Sequence, residues 1–302
     1  MSELATFKNP EGFEFSTGLI MPDDNQKALM NAVEEYPDSM MLDDPDIEKL
    51  LKDYDYKQSR RDLAPYMINQ SSVGKCNTSA VVGAVDQLRL QQGLPHIPLA
   101  DDQLYMRVNG GRDAGSALIE GYRELLERGV APRFVQVGGM TKAFPHFKIR
   151  QRDIPSDIWQ AAMSEMSRFR GFEWYRAPLD RAGYARALAS ALARRQPVVF
   201  AWHVGNNGMR LRNGYAQISR GPGNHANVFH SAKYVGGQDI VHPDDRNSWG
   251  PSKDVIYGPT NSGWGEAGYA LFTMDDAFAC AGNHYTYIGT SVRPDPTNDF
   301  GV

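Results

Sequence analysis

Cysteine is scarce in this 302-residue chain, Cys76 and Cys280 being the two present. Two thiols exclude a disulfide framework, and neither falls in a Cys-x-x-Cys pair, so neither a metal site nor a dithiol redox centre is expected. Long apolar runs are also missing. The longest, such as Val198–Trp202, fall far short of the ~20 residues that cross a bilayer, so no membrane span is expected. The opening Met-Ser-Glu-Leu-Ala-Thr-Phe-Lys has no basic region followed by an apolar one, which points to an intracellular location. Basic residues are scattered and form no stripe, so a nucleic-acid partner is not expected. With 41% hydrophobic and 23% charged residues, collagen-like, low-complexity and wholly disordered readings fall away, and the length allows a sizeable core.

The charge that is present is unevenly placed. Asp23–Asp55 holds eleven acidic residues against three lysines, while Lys142–Arg220 holds fourteen basic residues against five acidic ones. The acidic segment can lie against the basic one or stay solvated, solvation being the plainer expectation. Pro22, Pro37 and Pro45 interrupt this region, leaving Asn25–Glu35 and Asp46–Asp53 as its helical stretches. Residues 1–60 therefore read as an acidic N-terminal arm or pro-like extension, and 61–302 as the folded domain. Ala80, Val81, Ala84, Val85 and Leu88 recur at helical spacing before Gly93 and Pro95 stop the pattern, and Cys76 sits at its start. Further helices are expected over Ala117–Arg128, Asp157–Phe169 and Arg181–Arg195. After Pro197 the pattern turns to strands, at Val198–Val204, Asn227–Val235, Tyr269–Met274 and Tyr285–Thr290. Helices first and strands later indicate an α+β protein with an antiparallel sheet rather than a doubly wound nucleotide-binding fold.

A cysteine at a helix N-terminus gains from the positive end of the dipole, which lowers its pKa and makes Cys76 a candidate nucleophile. It ends the run Asn69-Gln70-Ser71-Ser72-Val73-Gly74-Lys75-Cys76. His225 follows 149 positions later in Asn224-His225-Ala226, at the start of an expected strand. Next come Asn247-Ser248-Trp249-Gly250 and Gly263-Trp264-Gly265-Glu266-Ala267-Gly268-Tyr269. In these blocks, and over about Asp62–Thr290, the chain resembles the papain-like cysteine peptidases (C1 family, clan CA). The resemblance implies a two-lobed α+β fold, with a helical left lobe, a β-rich right lobe and a cleft between them. It implies Cys76 as nucleophile, His225 as base and acid, Asn247 as the residue orienting the imidazole, and Gln70 in the oxyanion hole. Gly74 completes the nucleophile loop and Trp249 shields the histidine–asparagine hydrogen bond. His203 and His230 are rival histidines, but neither begins a strand.

Three departures from the family pattern stand out. Asn77 occupies the place of a tryptophan, and Val73 that of a disulfide cysteine. Residues Pro251–Ser262 interrupt the asparagine block, which leaves Asn261 as an alternative triad asparagine. The expected activity is peptide-bond hydrolysis through a Cys-His-Asn triad and a thioester, with a polypeptide substrate and no cofactor. The alternative is a papain-like scaffold with a structural or binding role in a larger assembly such as a virus particle, its partner contacted by the arm and its catalysis lost or latent. A third reading keeps the triad but gives the acyl group to another acceptor.

Overall fold

The computed structural model describes the chain except for residues 1–5, 9–13, 64–65, 149, 167–171, 206–210, 250–256, 260–267, 283 and 293–302. Three short helices come first: α1 (Asp24–Asn31), α2 (Asp44–Asp53) and α3 (Tyr56–Asp62). Each starts on an aspartate whose side chain accepts first-turn backbone N–H groups, Asp23, Asp43 and Asp55 in turn, which answers donors left open at a helix start. Part of the acidity of this region is therefore capping chemistry. Its apolar residues are few but turned inward, with Met30, Tyr36, Ile47 and Leu51 all buried. Ile47 and Leu51 lie one turn apart on α2, a periodicity that the surrounding charge conceals.

Helix α4 (Cys76–Gln91) is buried on every side from Cys76 to Arg89, as expected of a helix inside a core rather than on a surface. Around it lie α5 (Asp101–Asn109), which ends at Gly110 with φ +57°, and α6 (Leu118–Arg128). Val81, Val85, Leu88, Tyr122 and Leu125 form the centre of this helical lobe together with Val199 and Tyr287 from the sheet. Helix α7 (Ser156–Glu165) and the hairpin Phe134–Val137/Met140–Ala143 close a smaller cluster around Val135, Phe144 and Ile158.

The large sheet has eight strands in the order Phe172–Arg176, Tyr287–Val292, Val198–Trp202, His225–Gly236, Ile240–Arg246, Tyr269–Leu271, Tyr215–Ala216 and Leu211–Arg212. Every pairing is antiparallel except that of Leu271 with Tyr215. Helices α8 (Arg181–Ala193) and α9 (Met274–Cys280) cover its far face, burying Leu188, Leu192, Phe200, Phe229 and Phe272. The Phe200 and Phe229 rings stack with centroids 3.7 Å apart. Among the described residues no helix is long and apolar enough to cross a membrane.

Three elements differ from the sequence expectation for identifiable reasons. The strand from Tyr269 stops at Leu271 because Thr273 caps α9. The central strand Ile240–Arg246 carries Asp244, Asp245 and Arg246, all buried, and so reads as a polar loop. Helix α5 opens on two aspartates, Asp101 and Asp102, that point inward to buried cations, and its pattern lacks an apolar stripe.

Candidate active site

Cys76 is the first residue of α4, and the loop before it is fixed from several directions. The Gly74 N–H donates to Asp113 Oδ1 (3.0 Å), which also accepts from the Tyr105 hydroxyl (2.7 Å). Lys75 is fully buried, with Nζ 3.0 Å from Asp101 and 2.7 Å from Asp102, and Arg133 bridges the same two carboxylates at 2.6 and 2.8 Å. Burial works to raise the Asp102 pKa, but the Lys75 and Arg133 cations hold it well below the usual carboxylate range. A buried cation one residue before the thiol is thus locked to α5.

His225 opens the strand paired to Val198–Trp202, its register partner being Trp202. Its Nε2 lies 3.0 Å from Asn247 Oδ1, and the Trp249 indole stacks on the imidazole at 4.5 Å between centroids and 26° between planes. All three side chains are buried, so the hydrogen bond is shielded from competing water. Nδ1 has no hydrogen-bond partner among the described residues, which leaves that nitrogen available. The backbone of Ala226, next to His225, acts to lower the pKa of the Cys76 thiol. The strand start from one lobe therefore meets the helix start from the other.

The oxyanion candidate completes the contact between lobes. Gln70 N donates to Ser248 O at 2.9 Å, and the Ser248 hydroxyl donates to the Gln70 side-chain oxygen. The Gln70 amide itself donates to Ser16 O at 2.6 Å and Val73 O at 3.2 Å. Ser16 belongs to a strap, residues 16–20, that crosses the site. Ser16 N donates to Ser71 O (3.2 Å), Leu19 N to Asn224 O (3.1 Å), Ser116 N to Gly18 O (2.8 Å) and Ile20 N to Ser116 O (3.2 Å). The Gly18 backbone likewise acts on the pKa of the thiol. The fit admits no side chain at this point, since a Cβ on Gly18 would lie 1.8 Å from Gly74 O.

Beneath the strap the chemistry is that of a dry site. Burial pushes the Cys76 thiol up to about 11, against smaller opposing effects from the backbone of Ala226 and Gly18. Burial also pulls His225 down to about 4, against smaller opposing effects of the neighbouring Asn247 and Asn227 side chains. The lowered thiol pKa expected from the helix N-terminus is reversed in this closed arrangement, because desolvation of the charged form exceeds the dipole's contribution. Thiol and imidazole are both neutral here.

The structure brings Gln70, Gly74, Cys76, His225, Asn247 and Trp249 into one site. His203 instead faces Pro222 O at 2.8 Å, and His230 lies 3.4 Å from Asp244. Asn261 and the block Gly263–Ala267 lie outside the described residues, as does most of Pro251–Ser262, of which Tyr257–Pro259 pairs with Tyr66–Ile68. The parts played by three residues are not evident from the sequence. Asn77 donates to Ser116 Oγ (2.9 Å) and Ala117 O (2.7 Å), tying α4 to the edge that clasps the strap. Ser116 and Asn224 act through their backbone, which no side-chain signature reveals.

No family model matches the chain, and no curated protein matches it by sequence. Among solved structures it is similar to xylellain, a cysteine protease from Xylella fastidiosa, at 17% identity and a TM-score of 0.57 over 97% of this chain and 100% of that one. It is also similar to proCathepsin B S9 from Trypanosoma congolense, at 14% identity and a TM-score of 0.56 over 92% and 86% of the two chains. A third likeness is to the cysteine protease and lectin-like domains of Cwp84, a surface layer associated protein of Clostridium difficile, at 13% identity and a TM-score of 0.58. That alignment takes in 93% of this chain and 57% of that one. These likenesses establish the fold: α+β and papain-like, with a helical lobe, a β-rich lobe and the cleft between them.

Proposed function

We propose that this papain-fold chain is a cysteine peptidase held latent by residues 16–20, with Cys76 as nucleophile, His225 as acid and base, Asn247 as its orienting partner and Gln70 in the oxyanion hole. The observation that carries this reading is the His225 imidazole, bonded to Asn247 through Nε2, stacked on Trp249 and left with Nδ1 unpartnered, one residue from Ala226, whose backbone acts on the Cys76 thiol. Once the strap is displaced, water regains the site and the penalty on charged forms falls. The Cys76 proton passes to His225 Nδ1, and the thiolate attacks the substrate carbonyl carbon. The oxygen that becomes negative is met by the Gln70 amide and the Cys76 backbone N–H. Collapse breaks the C–N bond, the amine leaves with the proton from His225, and a thioester remains. Water, deprotonated by His225, then adds to the thioester, releasing the acid and restoring the thiol.

Full burial of Cys76 and His225 favours latency over constitutive activity, because no substrate reaches a sealed thiol. The test is labelling with an epoxide inhibitor of cysteine peptidases, located by mass spectrometry, on the intact chain and on a chain lacking residues 1–20. The truncated chain is expected to label at Cys76 near neutral pH, slowly when His225 is replaced by alanine and not at all in Cys76→Ala. Labelling of the truncated chain at an ordinary thiol rate, indifferent to His225→Ala, would instead support the scaffold reading.

A further inference from the structure

Four charges of the basic stretch 142–220 are answered by ion pairs within the fold. Lys142 pairs with Asp157 at 2.8 Å, Arg176 with Glu35 at 2.6 Å, Arg181 with Asp239 and Asp275 at 2.8 Å each, and Arg186 with Asp44. Two of those partners, Glu35 and Asp44, belong to the acidic segment, so part of it does lie against the basic one. Arg150 and Arg152, like Lys148, Arg212 and Arg220, are not among these paired cations, but these two line a cavity. Among the described residues neither has an ion-pair partner, nor does Arg112 on the turn after α5, and all three are exposed.

These three arginines, from two separate turns, line one cavity of about 830 Å³. Arg128, whose charge is shared with Glu124 at 3.7 Å, borders it too. No carboxylate stands among the described residues that line it, while Trp159 and Met163 supply apolar surface. Like charges held around one concavity repel, and a bound anion offsets that repulsion. Guanidinium presents paired N–H donors that match two phosphate oxygens at once. The volume is that of a small-molecule site, on the order of 300–1,000 Å³. Its walls come from helices and turns, with no strand edge along which an extended peptide could pair.

We propose that this cavity binds a small organic molecule carrying two or more phosphate groups, the phosphates held by Arg112, Arg150 and Arg152 and the organic part resting on Trp159. The site is separate from the cleft, so it stands or falls independently of the peptidase reading. Calorimetric titration of the full chain with inorganic tripolyphosphate, at near-physiological salt, is the test. Saturable one-to-one binding is expected, weakened about tenfold or more in Arg150→Gln/Arg152→Gln, since charge-assisted hydrogen bonds contribute on that scale. Both arginines are exposed, so that variant should keep the wild-type unfolding midpoint. Arg112→Gln, on the other turn, gives a second measurement with the same expectation in direction. Sulfate at matched ionic strength and hexaglutamate should not compete. Absence of saturable binding, equal affinity in both arginine variants, or hexaglutamate binding as tightly as tripolyphosphate overturns the proposal.

Discussion

Gly18 shows how one missing side chain holds the site shut. Its place 1.8 Å from Gly74 O, measured from where a Cβ would sit, means that Gly18→Ala forces the strap off the nucleophile loop. Epoxide labelling of Cys76 in Gly18→Ala is expected to exceed that of the intact wild type, and unchanged labelling would show that the strap is not the barrier. Asn77 works from the opposite side of the same contact. Its bonds to Ser116 and Ala117 hold the edge against which Gly18 and Ile20 pair, so Asn77→Leu leaves buried acceptors unpaired at about 1–3 kcal/mol. Lys75 is the most exposed to error of these residues in energetic terms, because it is a buried cation. Asp102→Asn removes one of its two carboxylates, and breaking a buried pair costs about 3–5 kcal/mol. Urea unfolding should register that loss. A loss below about 1 kcal/mol would mean that Asp101 alone suffices.

At the scale of elements, the first three helices behave as parts of the body. Ile47 is fully buried, and Arg60 of α3 reaches Asp244 in the central strand at 2.7 Å. Ile47→Ala is therefore expected to cost about 2–5 kcal/mol, as a buried deletion does, measurable as a lower urea midpoint; a solvated arm would lose almost nothing. Removal of residues 1–20 should lower that midpoint while leaving unfolding cooperative, since it takes out buried Leu19 and the hydrogen bonds of the strap, whereas removal of residues 1–60 should abolish cooperative unfolding. The difference between these elements also explains what could be read beforehand. Helix α4, with Val81, Val85 and Leu88 in a buried face, and the strand opening at His225 follow apolar periodicity and were legible as sequence. So was the grouping of Cys76, His225, Asn247 and Trp249, whose proposed roles depend on side-chain identity. Helix α5 and the strand Ile240–Arg246 were not, because their inward-facing residues include charges whose partners lie far away in sequence. The strap was invisible for a further reason: it holds on through backbone groups, and Ser-Thr-Gly-Leu-Ile carries no signature of where it docks.

For the whole molecule, the buried histidines set the response to acid. Burial holds His225 and His284 at about 4 and pulls His230 well below its ordinary value. A histidine whose folded pKa is depressed binds more protons in the unfolded chain, so stability is lost as pH falls from about 6.5 towards 4. Asp245 acts in the opposite sense, its carboxyl raised by burial, but it is one group against these three and His146, which burial also lowers. The urea midpoint should therefore be lower at pH 5 than at pH 7. Opening of the strap shares this sign at His225, since an uncovered imidazole takes up a proton more readily than a covered one. Epoxide labelling of the intact chain should then rise between pH 6.5 and 4, and a flat profile would show that protonation and opening are uncoupled. The strap is also joined to the body through Pro22 and α1, so it meets the cleft as an intramolecular partner. A tethered segment acts at an effective concentration of about the millimolar range, whatever the dilution of the protein. Any free peptide competing for the cleft faces that fixed threshold, but a single chain cut between the strap and α1 would convert the strap into a diffusible ligand that dilutes away.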